Sequence, residues 1–409
     1  MKLDKIFNFS FILLVPSIIV SFAANAILLI TLSIISIYQL KGNYSKDFFT
    51  KYGLFLAFFF SIIIGLFIDL ALNYEFDISQ VIKRAAFILI PFIIYYSRKH
   101  IQILSLKVFV YFLSSLSFVL ILLGLIRSVL NRGKILYGNW DSKTTEAFYE
   151  QDMLLNWGEL SYKKIFIILD MHPSYYALFS CIAIILLLFT GLIDIKKNWK
   201  RALLILHILM IILVSSKAGL ISLFLILTVA FFSVEQIKQK LIAASVVAVI
   251  IVVVMSIPST QLRIKKSFDS ITLNNIELKT DKSVDRIILW KSLENFSAKQ
   301  LILGHGYHSS LSKIHLYTGI DKNLHNQFLQ TLVSSGIIGL SLLIIFLAAP
   351  LLYDQSLFTI VFIGLIVLNL LFENMLDRIW GIIFISFFYA LFIFGELNFS
   401  VNKAKEIVD

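Results

Sequence analysis

Apolar runs of about 20 residues, each ended by polar or charged positions, recur along this chain, and that is the length a helix needs to cross roughly 30 Å of hydrocarbon. The pattern predicts an all-α fold, a polytopic transmembrane helical bundle. Twelve spans are expected, near 5–21, 23–40, 52–71, 80–97, 104–127, 172–192, 201–214, 217–233, 241–257, 325–349, 356–372 and 378–397. The first two come from one apolar stretch, residues 6–40, too long for a single crossing. Lysines flank it on both sides (Lys2 and Lys5 before, Lys41 and Lys46 after), so the chain must fold back, and Ser21–Asn25 is the expected turn. The two halves show no internal repeat.

Composition agrees with that pattern. The chain is 59% hydrophobic with a mean hydropathy of +0.88. The net charge of +11 is read as orientation by basic cytoplasmic loops, and no nucleic-acid partner is expected. Basic clusters recur every second loop, at Arg98 and Lys99, at Lys196 and Lys197, at Lys238 and Lys240, and at Lys403 and Lys405. Both termini are therefore expected in the cytoplasm. The N-terminal run lacks a small-x-small site and flows into further spans, so a cleavable signal peptide is not expected. One cysteine, Cys181, excludes a disulfide framework and a CxxC metal site.

Two outer segments, 128–171 and 258–324, are too long to be mere connectors. Residues 161–170 and 283–296 have helix-like apolar spacing, which predicts short interfacial helices, and 303–310 reads as a glycine loop. The chain then divides into membrane helices 1–257, an outer loop 258–324 and membrane helices with a cytoplasmic tail 325–409.

Every even-numbered span after the second opens on the outer side with polar residues. The sixth, eighth, tenth and twelfth open with His172-Pro173-Ser174, Ser215-Ser216-Lys217, Asn323 to Gln327 and, after Glu373-Asn374, Asp377-Arg378. Helix N-termini offer unpaired N–H groups and positive potential, and with Lys217, Arg286 and Arg378 they suit a phosphate-bearing lipid head group. Asn323 is the expected N-cap before His325. His325 has two readings, a capping histidine or a general base, since the positive end of a helix favours a neutral imidazole. His305 and His308 lack the one-face helical spacing of zinc pairs, and no metal site or cofactor is expected.

At these residues the sequence resembles the O-antigen ligase and polymerase superfamily. The resemblance rests on "HNQFL" (325–329), followed by "SSGIIGL" (334–340), with "RIILW" (286–290) and "ILGHGY" (302–307) upstream. "HPSYYAL" (172–178), "SSKAGL" (215–220) and "ENMLDRIWG" (373–381) look like its Bacteroidetes-type branch. The resemblance implies an inner-membrane glycosyltransferase facing the periplasm, metal-independent and inverting. Its donor is a glycan on undecaprenyl pyrophosphate and its acceptor a hydroxyl of lipid A core, a glycan or a protein. His325 then matches the base, Arg286 the pyrophosphate contact, and Lys217 stands where the family has arginine. From their places at the outer helix ends, His172, Asn326, Glu373 and Arg378 are the expected supporting residues. Ligase and polymerase members share these motifs. A transporter or flippase is the rival from another class, but it usually carries a repeat and midplane charges. A polyprenyl-phosphate glycosyltransferase with an acidic pair in its first outer loop is disfavoured, because "SFAAN" (21–25) has no acid.

Overall fold

The computed structural model describes residues 2–42, 44–131, 155–166, 168–169, 171–257, 260–261 and 282–399. Most of the expected outer segment 128–171, the first part of 258–324, and Lys403 and Lys405 lie outside the described residues. The described residues are helical, with no strand. The elements are α1 (Lys2–Val20), α2 (Phe22–Leu40), α3 (Lys46–Ala71), α4 (Ile78–Arg84), α5 (Ala86–Tyr96), α6 (Lys99–Leu130), α7 (Tyr162–Ile165), α8 (Pro173–Phe189) and α9 (Lys197–Val214). They continue with α10 (Lys217–Phe232), α11 (Ile237–Ser256), α12 (Lys282–Lys291), α13 (Ala298–Leu303), α14 (Tyr307–Thr318), α15 (Gln327–Ala348), α16 (Leu357–Phe372) and α17 (Ile379–Phe394).

Among them, seven helices are long and apolar enough to cross a membrane, with α4 and α5 running as one span of 19 residues. The shorter apolar helices α8, α10, α16 and α17, together with α9, fall at the other five expected spans. This is a multi-pass membrane protein. The packing of the described residues forms two units, one within 1–109 and 285–399 and one within 110–284.

In the first unit the apolar stretch 6–40 folds back where expected. Ser21 caps α2, its Oγ accepting the Ala24 N–H at 3.3 Å. Asn25, already inside α2 and fully buried, donates from Nδ2 to Ser17 Oγ (2.8 Å) and to the Leu14 carbonyl (3.2 Å), tying the hairpin together. Lipid tails are as apolar as leucine, so helices in a bilayer associate through close packing and interhelical hydrogen bonds. An aromatic stack supplies that packing: Phe346 of α15 lies parallel to Phe58 of α3 (4.5 Å) and to Tyr389 of α17 (4.8 Å), with Phe87 edge-on.

Helix α15 is broken within its run. Gly336 has φ 69° and ψ −168°, a conformation close to glycine-only. Such a break frees carbonyls from the helical ladder, and the loop after α13 takes them up. His305 N donates to Val333 O at 2.8 Å and Gly306 N to Ser334 O at 3.0 Å. The backbones meet so closely that a Cβ on Gly304 would stand 2.7 Å from Ser334 O.

The loop expected over 303–310 is shorter than the sequence suggests. Helix α14 starts at Tyr307, capped from outside by Asp69 at the end of α3, whose carboxylate accepts the N–H groups of Tyr307 (2.9 Å), His308 (2.8 Å) and Ser309 (3.0 Å). A cap from more than 230 positions away leaves no local signature.

In the second unit α8 is buried along nearly its whole length. Gly219 of α10 lets it approach closely, since an added Cβ would stand 2.6 Å from that of Ala177. Ser114 meets His207 Nε2 (2.9 Å) and Ser117 meets the Tyr176 hydroxyl (2.9 Å), pairing polar groups that hydrocarbon cannot solvate. Helix α11 has no buried residue, an apolar helix fit for contact with lipid.

Candidate active site

The mouth of α15 is built by four consecutive residues, Asn323 to Asn326. Asn326 is the N-cap, its Oδ1 accepting the Leu329 N–H at 3.1 Å. The expected cap, Asn323, does a different job: its Oδ1 accepts the N–H of His325 at 3.2 Å. His325 itself lies outside the helix with φ 48°, a left-handed conformation uncommon for non-glycine residues. Leu324 holds the chain in that turn. It is fully buried in a cluster with Leu289, Phe296, Ile314 and Val333, and its carbonyl accepts the Trp290 indole N–H at 2.8 Å.

That turn aims the imidazole at the C-terminal end of α16. His325 Nδ1 lies 3.4 Å from Glu373 Oε2, and the other carboxylate oxygen lies 3.4 Å from Arg286 Nη2. An Nδ1–H donated to a carboxylate fixes the ring's tautomer and leaves Nε2 as the acceptor. Catalytic contacts of this length commonly tighten once substrate is bound. His325, Glu373 and Arg286 side chains are 30%, 18% and 28% exposed, so the group is sheltered yet reachable. Arg378, at the N-cap position of α17, is exposed and makes no side-chain cap bond.

The turn after Glu373 is stitched to the mouth of α15 by amides. Gln327 Oε1 accepts the Leu376 N–H at 2.9 Å, and Gln330 Oε1 accepts both the Leu324 N–H (3.3 Å) and Asn374 Nδ2 (3.4 Å). Next to this network, burial pushes the Tyr307 hydroxyl above its ordinary pKa, with Asp377 adding to the effect.

Lys217 and His172 belong to the second unit. His172 caps α8, its Nδ1 accepting the Ser174 N–H at 3.4 Å, with Pro173 as the first helical residue. Ser216 caps α10, and its Oγ donates to Ser174 Oγ at 3.2 Å, so the starts of α8 and α10 meet there. Lys217 is the first residue of α10 and is exposed. The structure thus brings His325, Glu373 and Arg286 together, uses Asn326 and His172 as caps, and sets Lys217 at a helix start.

His305 and His308 face different partners, Gln300 (3.2 Å) and Asp77 (3.3 Å). Among the described residues no three His, Cys, Asp or Glu side chains converge as metal ligands. Asp69 and Arg84 were not singled out from the sequence. The available signal was a charged residue at the end of an apolar run.

Comparison with known proteins gives one family: residues 202–344 match the model described as O-antigen ligase. No curated protein matches the chain. The matched stretch contains Lys217, Arg286 and His325, and supports an O-antigen ligase or polymerase type of function.

Proposed function

Because the chain belongs to the O-antigen ligase superfamily, we propose that it transfers a glycan from undecaprenyl pyrophosphate to an acceptor hydroxyl at the periplasmic face of the bacterial inner membrane. The observation that carries this reading is the contact of His325 Nδ1 with Glu373 at a sheltered helix mouth. With Nδ1–H held by the carboxylate, Nε2 takes the proton of the acceptor hydroxyl. The hydroxyl oxygen forms a bond to the anomeric carbon from the face opposite the pyrophosphate. The bond from that carbon to the pyrophosphate oxygen breaks, its electron pair leaves with undecaprenyl pyrophosphate, and the centre inverts.

Arg286 supplies positive charge that a departing pyrophosphate requires, and the family resemblance assigns the same role to Lys217. A guanidinium carries five N–H donors, so the Glu373 contact at one nitrogen leaves others for phosphate. Lys217 is a point charge and cannot grip phosphate bidentately as arginine does. With charge balanced by side chains, the leaving group needs no metal. The acceptor is lipid A core, a growing glycan or a protein, the growing glycan making the chain a polymerase.

The test is transfer in proteoliposomes carrying polyprenyl-pyrophosphate glycan and acceptor. His325→Ala should insert normally and lose roughly 10²–10⁴ in rate, the range for a missing general base. Full activity in that variant would remove the assigned base. Movement of the donor across the bilayer without transfer would support the transporter class instead.

A further inference from the structure

The proposed base and its partner sit on different segments, His325 before α15 and Glu373 after α16, and a buried ion pair stands behind the second. Arg84 Nη2 lies 2.6 Å from Asp377 Oδ1, with the side chains 2% and 6% exposed. Arg84 Nη1 donates to Gln80 Oε1 at 2.6 Å and to the Gln80 carbonyl at 3.1 Å. Its guanidinium also lies over the Tyr307 ring, 5.8 Å from the centroid. On the far side, Asp377 Oδ2 accepts Asn374 Nδ2 at 3.2 Å, and Asn374 in turn meets Gln330 of α15. A continuous set of bonds therefore runs from α4 through the 374–377 turn to the helix mouth at Leu324.

Burying two charges costs about as much desolvation energy as their attraction returns, so such a pair is weak evidence for stability. Its firmer use is to fix register. Here the register is that of the turn directly following Glu373. We propose that Arg84 and Asp377 are a positioning pair that holds this turn so that Glu373 meets His325 Nδ1. The pair acts on turnover through those two residues and contacts neither donor nor acceptor. The inference rests on the reading of His325 as the acceptor base.

The test compares Asp377→Asn, Arg84→Lys, the double variant Arg84→Met with Asp377→Leu, and His325→Ala, all as full-length protein in proteoliposomes. A base displaced by about 1 Å loses up to a hundredfold in rate. Asp377→Asn should therefore lower kcat by roughly 10–100-fold while donor KM stays within about twofold. Arg84→Lys keeps the charge without the planar fork and should retain part of the parent kcat. The double variant removes both charges, which well-packed apolar replacements tolerate. It should insert and resist heat like the parent yet keep the low kcat. A purely structural pair gives the opposite result, with kcat returning alongside folding, and that outcome overturns the proposal.

A readout independent of activity uses the Cys181→Ser chain carrying His325→Cys and Glu373→Cys, treated with a short bifunctional thiol reagent. Adding Asp377→Asn should reduce cross-linking, and an unchanged yield also overturns the proposal. Full transfer by His325→Ala sinks the base and the positioning pair together. Loss of transfer in His325→Ala with parental kcat in Asp377→Asn and in the double variant sinks the positioning pair alone.

Discussion

Replacing Gly336 by alanine strikes the joint on which the site stands. Two costs follow from the geometry. The backbone at φ 69° and ψ −168° lies in a region essentially closed to side chains, worth about 1–3 kcal/mol. The new Cβ would stand 2.6 Å from Gly304 N and from the Leu303 carbonyl carbon, and closer still to the Ile302 carbonyl oxygen. Overpacking against backbone adds about 1–3 kcal/mol. The total is about 2–6 kcal/mol, enough to open the Val333 and Ser334 carbonyl contacts with His305 and Gly306. Two controls separate the terms. Gly42 has φ 79° and nothing within 4 Å of an added Cβ, so Gly42→Ala carries only the backbone cost. Gly53 lies inside α3, also with nothing within 4 Å, so Gly53→Ala should gain about 0.5–1 kcal/mol of helix stability. Thermal unfolding in detergent, followed by tryptophan fluorescence, should rank the midpoints Gly53→Ala, parent, Gly42→Ala, Gly336→Ala from high to low. A Gly336→Ala midpoint equal to that of Gly42→Ala would refute the claim that loop and broken helix are in backbone contact.

Glu373→Gln keeps the shape of the partner and removes its charge, so transfer should fall by roughly 10–10³-fold with little change in donor KM; an unchanged rate would leave His325 without an orienting group. Lys217→Ala and Arg286→Ala should each cost on the order of a hundredfold, while Lys217→Arg retains or raises activity; normal turnover in both alanine variants would make them interface anchors. Burial, with Lys313 adding to it, lowers the His305 pKa below its ordinary value, so the unfolded chain takes up a proton first as pH falls. The contribution of His305 to stability is present above about pH 6.5, the ordinary imidazole value, and is lost as pH falls toward the folded value. His305→Asn should flatten that part of the midpoint-against-pH curve, and an unaltered slope would count against the assignment.

The helices were legible because hydrophobic patterning is local: Ser21 turns the first hairpin where the flanking lysines require it, and Pro173, Ser216 and the apolar runs set helix starts within a few residues. His325, Arg286 and Glu373 were likewise visible as polar residues at helix ends. What escaped were the contacts made across the chain. Asp69 capping α14 and Arg84 reaching Asp377 join positions 238 to 293 residues apart, and neither element carries a mark of its partner. The break at Gly336 was hidden for a related reason. A glycine in an apolar helix reads as a packing contact until a second backbone is known to need its carbonyls.

Five non-glycine residues among those described have positive φ: Lys41, Asn73, Tyr162, Ser215 and His325. Two of them occupy the same structural position. Ser215 (φ 51°) directly precedes the cap Ser216 and Lys217, as His325 (φ 48°) directly precedes the cap Asn326. A left-handed residue there turns the chain sharply into the helix at a cost of roughly 1–2 kcal/mol for a residue with a side chain. Retaining an imidazole at a position suited to glycine makes sense where the ring itself is required. His325→Gly should therefore raise the thermal midpoint relative to His325→Ala, since alanine keeps the strain and glycine relieves it, while both variants lose transfer. Equal midpoints would mean that the burial of Leu324 and the Asn323 contact hold the turn without strain, and would remove this argument for selection of the ring.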